Sequence, residues 1–234
     1  SKEYGFDIEK AKGLVKGEGL FGRVLDIVDR MDYTALDCYS VGSSRPCKLR
    51  SLGIENPLVM DVWQDLKFNE DRSDFAFTDP NRLFNFLLFR AYEHKELLMN
   101  PYSRAMDSLL QRLVQPLYDN KIITKEQLLL NDDNWLYSVL QEHYPDKNVW
   151  SLIEPERLSW KKFDSPEELE SFLSGNQKVD HHEYLKGFDT GLNLGVYSDG
   201  KIVPVRELLK DEQVEELEGI SSQIRGYYAY FIKE

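Results

Sequence analysis

The chain has 234 residues, 41% hydrophobic and 30% charged, enough apolar material for a buried core, which excludes a disordered tail. Lys and Arg total 29 against 41 Asp and Glu, a formal net charge of −12. An acidic surface of that kind repels phosphate backbones and excludes a general nucleic-acid coat, but a local basic cluster can still take a small phosphorylated ligand.

No run approaches the roughly 20 apolar residues that span a bilayer, so no membrane partner is expected. The polar start Ser1-Lys2-Glu3-Tyr4-Gly5 is not a signal peptide, and its first residue is not Met, so a piece of a longer protein is expected. Cys38 and Cys47 form neither a disulfide framework nor a C-x-x-C pair. Free thiols in a reducing cytoplasm are the expectation.

In chain order, apolar periodicity from Leu20 to Val41, ended by Gly42, predicts a helix over about 20–41. Residues 42–78 carry Gly, Pro and Ser breaks and read as loop with short elements. Thr78-Asp79-Pro80 starts a helix reaching about Met99, with a capping side chain and Pro at the first helical position. Asn100-Pro101 breaks it and starts another, to about Tyr118. Thr124-x-x-Gln127 is a capping box before Leu128–Leu130. Asp132 or Asp133 caps a helix through His143, stopped by Pro145.

The pattern then changes. Val149–Leu152 and Leu158–Phe163 read as short strands, and Ser165-Pro166-Glu167-Glu168 opens a helix ending at Gly175. Leu192–Tyr197 and Ile202–Val205 flank Asp199-Gly200 and predict a hairpin. A charged helix follows at about 209–222, and Tyr227–Ile232 is β-prone. The expected fold is mainly α, with a helical part over 1–147 and a smaller α+β subdomain over 148–234.

The first long helix carries the functional argument. On a wheel at about 100° per residue, Tyr33, Asp26, Asp37 and Arg30 fall within about 100° of Asp29, and apolar residues fill more than half of the rest. A helix this apolar is expected to be buried on most sides. Its polar stripe reads either as a solvated edge or as a cleft wall. The tyrosine set between carboxylates suits a cleft wall.

Asp29-Arg30-Met31-Asp32-Tyr33-x-x-x-Asp37 resembles the last motif of the HD-superfamily metal-dependent phosphohydrolases, closest to their deoxynucleoside-triphosphate triphosphohydrolase branch. Phe89-Arg90-Ala91-Tyr92-Glu93-His94-Lys95 is similar to the Arg-Ala-Tyr-x-His-Lys run on that family's next long helix. The likeness covers about residues 20–145. It implies that Asp29 is the closing carboxylate ligand of a Mg, Mn, Fe or Zn ion and that Arg30 contacts phosphate beside it. It implies that Tyr33 lines the substrate pocket and that Asp37 accepts a hydrogen bond from a sugar hydroxyl. Tyr92 would pack on sugar or base, and Arg90, His94 and Lys95 would face the nucleotide or its phosphate. A shared cleft holding Asp29, Tyr33, Asp37 and Tyr92 is expected, and a homo-oligomer is the expected assembly.

The family site also needs an upstream His and a His-Asp pair. This sequence has His94, His143, His181 and His182; none precedes Asp, and all follow Asp29. The missing HD half is therefore expected from the same gene product or a partner chain, with no metal held tightly by this chain alone. Phe84–Phe89 is mostly apolar where the triphosphohydrolases carry basic or His residues, so a nucleoside monophosphate or another phosphoester is open as substrate. The alternative is a catalytically incomplete HD-derived module for nucleotide binding or oligomerisation. Asp180-His181-His182-Glu183 is not read as a metal site, because adjacent side chains diverge. His143, at a helix end, is read as structural.

Overall fold

A computed structural model describes residues 7–42, 62–69, 73–145, 157–175, 179 and 181–232, with the side chains of 8, 35–42 and 232 outside the description. The fold is mainly α with a smaller α+β part: eight α-helices and seven short strands among the described residues. The chain forms two compact units, one of residues 1–96 and 188–222, the other of 97–187 and 223–234. The division expected near residue 147 falls inside the second unit. A change from helical to strand pattern marks where local structure changes, whereas these units are assembled from segments distant in sequence.

In the first unit, α1 (Ile8–Val15) begins at Asp7, whose carboxylate accepts from the Glu9 and Lys10 amides. α2 follows over Gly19–Gly42. Strands β1 (Leu66–Phe68) and β2 (Phe75–Phe77) form an antiparallel pair inside the segment read as loop with short elements. Asp79 caps α3 (Pro80–Glu93) through the Asn81 and Arg82 amides, with Pro80 in the first turn. The helix read to Met99 leaves α geometry at Glu93 and continues as a π-helical turn, His94–Leu98.

The hairpin forms as β5 (Gly195–Ser198) and β6 (Lys201–Pro204) around Asp199 and Gly200, at φ 49° and 77°. Two positive φ values in succession are what an Asp-Gly hairpin turn requires. β5 runs parallel to β2, completing a sheet of order β1-β2-β5-β6. Phe77, Leu83, Val196, Val205 and Leu217 are completely buried in this unit.

The second unit holds α4 (Pro101–Asp119), α5 (Lys125–Leu130), α6 (Asp133–His143) and α7 (Pro166–Gly175). Asn100 caps α4, the Thr124/Gln127 capping box closes on α5, and Asp132 caps α6. The His143 ring lies 3.0 Å from the Val139 carbonyl, within its own helix. Strands β3 (Leu158–Phe163), β4 (His181–Leu185) and β7 (Gly226–Ile232) form an antiparallel sheet with β7 central. The expected strand at 149–152 lies outside the described residues. The remaining helix, α8 (Asp211–Ile224), runs directly into β7.

α4 packs on β3 and β7. Between them, Arg104 grips Glu183 through two bonds of 2.9 and 2.6 Å, and the Tyr230 hydroxyl donates to Glu183 at 2.8 Å. Burial opposes ionisation of Glu183, but these donors outweigh it and hold its pKa below the usual carboxylate value. The His-His-Glu run is thus strand structure: His181 stacks on Tyr230, and Glu183 is consumed by the arginine.

We predict that Arg104→Ala destabilises the protein by about 1–3 kcal/mol, because it strands a half-buried carboxylate, whereas Tyr230→Phe costs only about 1 kcal/mol. The wild-type contribution is present above roughly pH 4.3 and is lost as pH falls through the depressed Glu183 pKa. Urea unfolding at pH 7 and pH 3 measures both effects. Equal costs for the two variants at pH 7 would contradict this ranking.

Candidate arginine site on the first long helices

α2 presents its residues differently from the expectation of burial on most sides. Ile27, Met31 and Thr34 are buried, while Phe21, Leu25 and Val28 are exposed at 72, 47 and 42%. An apolar arc reports side-chain type, but burial also needs a neighbouring element on every side, and among the described residues α1 and α3 cover only part of α2. Thr34 ties that face to α3: its hydroxyl donates to the buried Glu93 carboxylate at 2.8 Å.

Asp29 and Tyr33 stand on the exposed side of α2. A hydrogen bond to Asp29, and then its negative charge, raise the Tyr33 pKa. Tyr92, expected at a pocket wall, is 6% exposed and belongs to the core. The α3 wheel explains why: Tyr92 follows Phe84, Leu87, Phe89 and Ala91, all buried. The Asp37 side chain lies outside the described residues, and Lys95 is half-buried in the π turn. The shared cleft of Asp29, Tyr33 and Tyr92 is therefore not what the fold builds.

It builds a different convergence, around Asp189. Arg30 pairs with Asp26 at 2.8 Å and reaches the Asp189 carboxylate at 3.3 Å. Arg90, on α3, donates to the Asp189 carbonyl at 2.9 Å. That is its one side-chain hydrogen bond among the described residues, and no carboxylate there lies at ion-pair distance from it. Burial first, and then the positive charge of Arg30, push the Arg90 pKa down. His94, one turn beyond Arg90, sets its Nδ1 3.0 Å from the Arg90 carbonyl and its ring 5.2 Å from that of Phe188. Burial first, and then Arg90, lower the His94 pKa, so the imidazole is neutral at pH 7. The π turn begins at this histidine, and such turns recur at functional sites.

The loop of residues 188–191 is tied to α8 and to itself. The Phe188 amide donates to the Ser221 hydroxyl at 3.2 Å, and that hydroxyl donates to the Phe188 carbonyl at 3.1 Å. The Asp189 carboxylate accepts from the Gly191 amide at 3.0 Å. Burial resists ionisation of Asp189, but the Gly191 amide and Arg30 outweigh it and depress its pKa. Gly191 has φ +71°, and a Cβ there would lie 2.6 Å from Leu87 Cδ2.

Of the residues singled out in the sequence, the structure thus brings together Arg30, Arg90 and His94. Asp189 and Phe188 were missed. Gly187-Phe188-Asp189-Thr190-Gly191 is a glycine-bracketed loop signal, but nothing local reveals that it returns to helices 99 and 159 residues away. Among the described residues no three His, Cys, Asp or Glu side chains are grouped to hold a metal ion. Asp29 by itself does not make a metal centre. Comparison with known protein families and with curated proteins finds no match.

Two outcomes are expected. First, the unfolded chain binds a proton at roughly pH 6.5 that folded His94 resists. Its effect on stability is absent above that pH and destabilising as pH falls toward the depressed value. Urea midpoints from pH 7.5 to 5 should therefore fall less steeply for His94→Gln than for wild type, and parallel slopes would rule this out. Second, Gly191→Ala should cost about 1–3 kcal/mol by forcing a side chain into the left-handed region against Leu87. Thermal unfolding measures it, and an unchanged midpoint would refute the strain.

Proposed function

We propose that this chain is part of an HD-type metal-dependent phosphohydrolase acting on a nucleotide or related phosphoester. The observation that carries the reading is the pair of guanidinium groups from α2 and α3 turned toward one loop, with Arg90 lacking a carboxylate partner among the described residues. A half-buried guanidinium with spare donors is suited to a phosphate, which accepts charge-assisted hydrogen bonds on several oxygens. In this reading Arg30 and Arg90 bind the phosphate, and neutral His94 beside them can accept a proton as the phosphate arrives. Asp29 supplies one carboxylate to a divalent ion whose remaining ligands come from outside these 234 residues. When bound, that ion would polarise a phosphoryl oxygen and acidify water.

A second reading has its own support. The arginine pair turned toward the Asp189 loop can hold a phosphate by itself. That favours an HD-derived module that binds nucleotide without turning it over.

Phosphate release from nucleotides, measured on the protein that carries the remaining ligands, separates the two. Asp29→Ala is expected to lower kcat by about 100-fold or more, in the range seen when a group acting on transition-state charge is removed. Arg90→Ala is expected to weaken binding by about 10- to 100-fold through loss of a charged hydrogen bond. Nucleotide binding without release would favour the binding module. Full activity of Asp29→Ala with normal metal content would end the HD assignment.

A further inference from the structure

A groove runs from the arginine site along α2. Its volume is about 620 Å³, within the roughly 300–1,000 Å³ of small-molecule sites. Arg30 and Asp189 line one end, and Arg23, Asp74 and Phe75 the other. Arg23 and Arg30 are seven residues apart on one helix, so the ends are separated by about 10 Å at ~1.5 Å per residue. That is the span from a base to its 5′-phosphate.

The two ends differ in chemistry. At the far end the Arg23 guanidinium lies over the Phe75 ring, 5.6 Å from its centroid, and Asp74 holds it at 3.2 Å. The Asp74 carboxylate is fixed in turn by accepting from the Phe75 amide at 2.9 Å. Arg23 is still half exposed to the groove. A guanidinium beside an aromatic ring and paired with a carboxylate presents a planar cation, of the kind on which nucleobases stack.

Charge sets how many phosphates fit. Lys16, Arg23 and Arg30 along the groove are balanced by Asp26, Asp74 and Asp189. Arg90, beyond the Asp189 end, adds a cation that has no carboxylate at ion-pair distance among the described residues. Arg30 and Arg90 offer two guanidinium groups to one phosphomonoester, of charge about −1.5 to −2, which displaces the Asp189 carboxylate from Arg30 while Asp26 stays paired with it. Further phosphates would extend along the groove against Asp26 and Asp74.

We propose that this groove binds a nucleoside monophosphate, its base stacked on the Arg23–Phe75 platform and its phosphate between Arg30 and Arg90. The phosphate end rests on the phosphoester reading above; the base end stands on Arg23, Asp74 and Phe75 alone.

The test is equilibrium binding to the full 234-residue chain, without divalent ions, of the four nucleoside 5′-monophosphates, ribose 5-phosphate, inorganic phosphate and adenosine triphosphate. At least one monophosphate is expected to bind about tenfold or more tightly than ribose 5-phosphate, the increment that one stacked base supplies. Arg23→Lys keeps the charge but removes the plane. It should erase that increment and leave ribose 5-phosphate affinity unchanged, with thermal unfolding confirming an intact fold. Phe75→Leu, which removes the backing ring, is the second variant should Arg23→Lys fail to fold. Equal affinity for nucleotide and sugar phosphate, an increment that survives both variants, tighter binding of the triphosphate, or no binding at all would overturn the proposal. Intact hydrolysis with failed base discrimination would discard the groove alone. Base-dependent binding with no hydrolysis would discard the phosphohydrolase and keep the groove.

Discussion

Asp189 is the residue on which the first unit's chemistry turns. Its carboxylate meets Arg30 from α2, its carbonyl meets Arg90 from α3, and its own shape is set by the Gly191 amide. Without it, two guanidinium groups would repel each other with less carboxylate charge between them, which would work against the packing of α2 on α3 at that point. A loop carboxylate is a partner that an incoming anion can replace, because Asp189 is solvent-facing while the loop behind it stays anchored at Ser221. Structural cohesion and ligand exchange therefore meet in one group.

The second unit shows the opposite arrangement. Arg104 spends two donors on Glu183, and Tyr230 adds a third bond. Stacked rings of His181 and Tyr228 flank Tyr230. A network of this kind ties the helix to the sheet face and spends the Arg104 charge within the fold. Arg90 differs from Arg104 in that respect: it is the more deeply buried of the two and has no carboxylate at ion-pair distance among the described residues.

The hydroxyl and carboxylate pair Thr34–Glu93 links α2 to α3 below the arginine site, both residues being 1% exposed. It fixes the two helices where their polar side chains must converge. The same packing draws Tyr92 inward with the apolar face of α3 and leaves Asp29 and Tyr33 on the outside. Motif order along the chain thus does not translate into one continuous cleft. Arg30 and its neighbour Asp29 point to different sides of one helix, so one can serve a groove while the other meets whatever covers the exposed side.

Local chemistry made much of this protein legible from its sequence. Asp79-Pro80, Asn100-Pro101 and Thr124-x-x-Gln127 start helices because capping and proline act within four residues, and Asp199-Gly200 makes its hairpin for the same reason. The balance of helix and strand followed from periodicity, which needs only neighbours along the chain. Arg30, Arg90 and His94 were recognisable as chemistry-bearing residues on helices. Their partner was not, because Asp189 returns from 99 and 159 residues away, and pairing at that range depends on how the elements pack. The same limit applies to the exposed Phe21, Leu25 and Val28, to the interleaved units, and to the role of Glu183. Each depends on which element lies opposite, a property of the tertiary structure that no local pattern encodes.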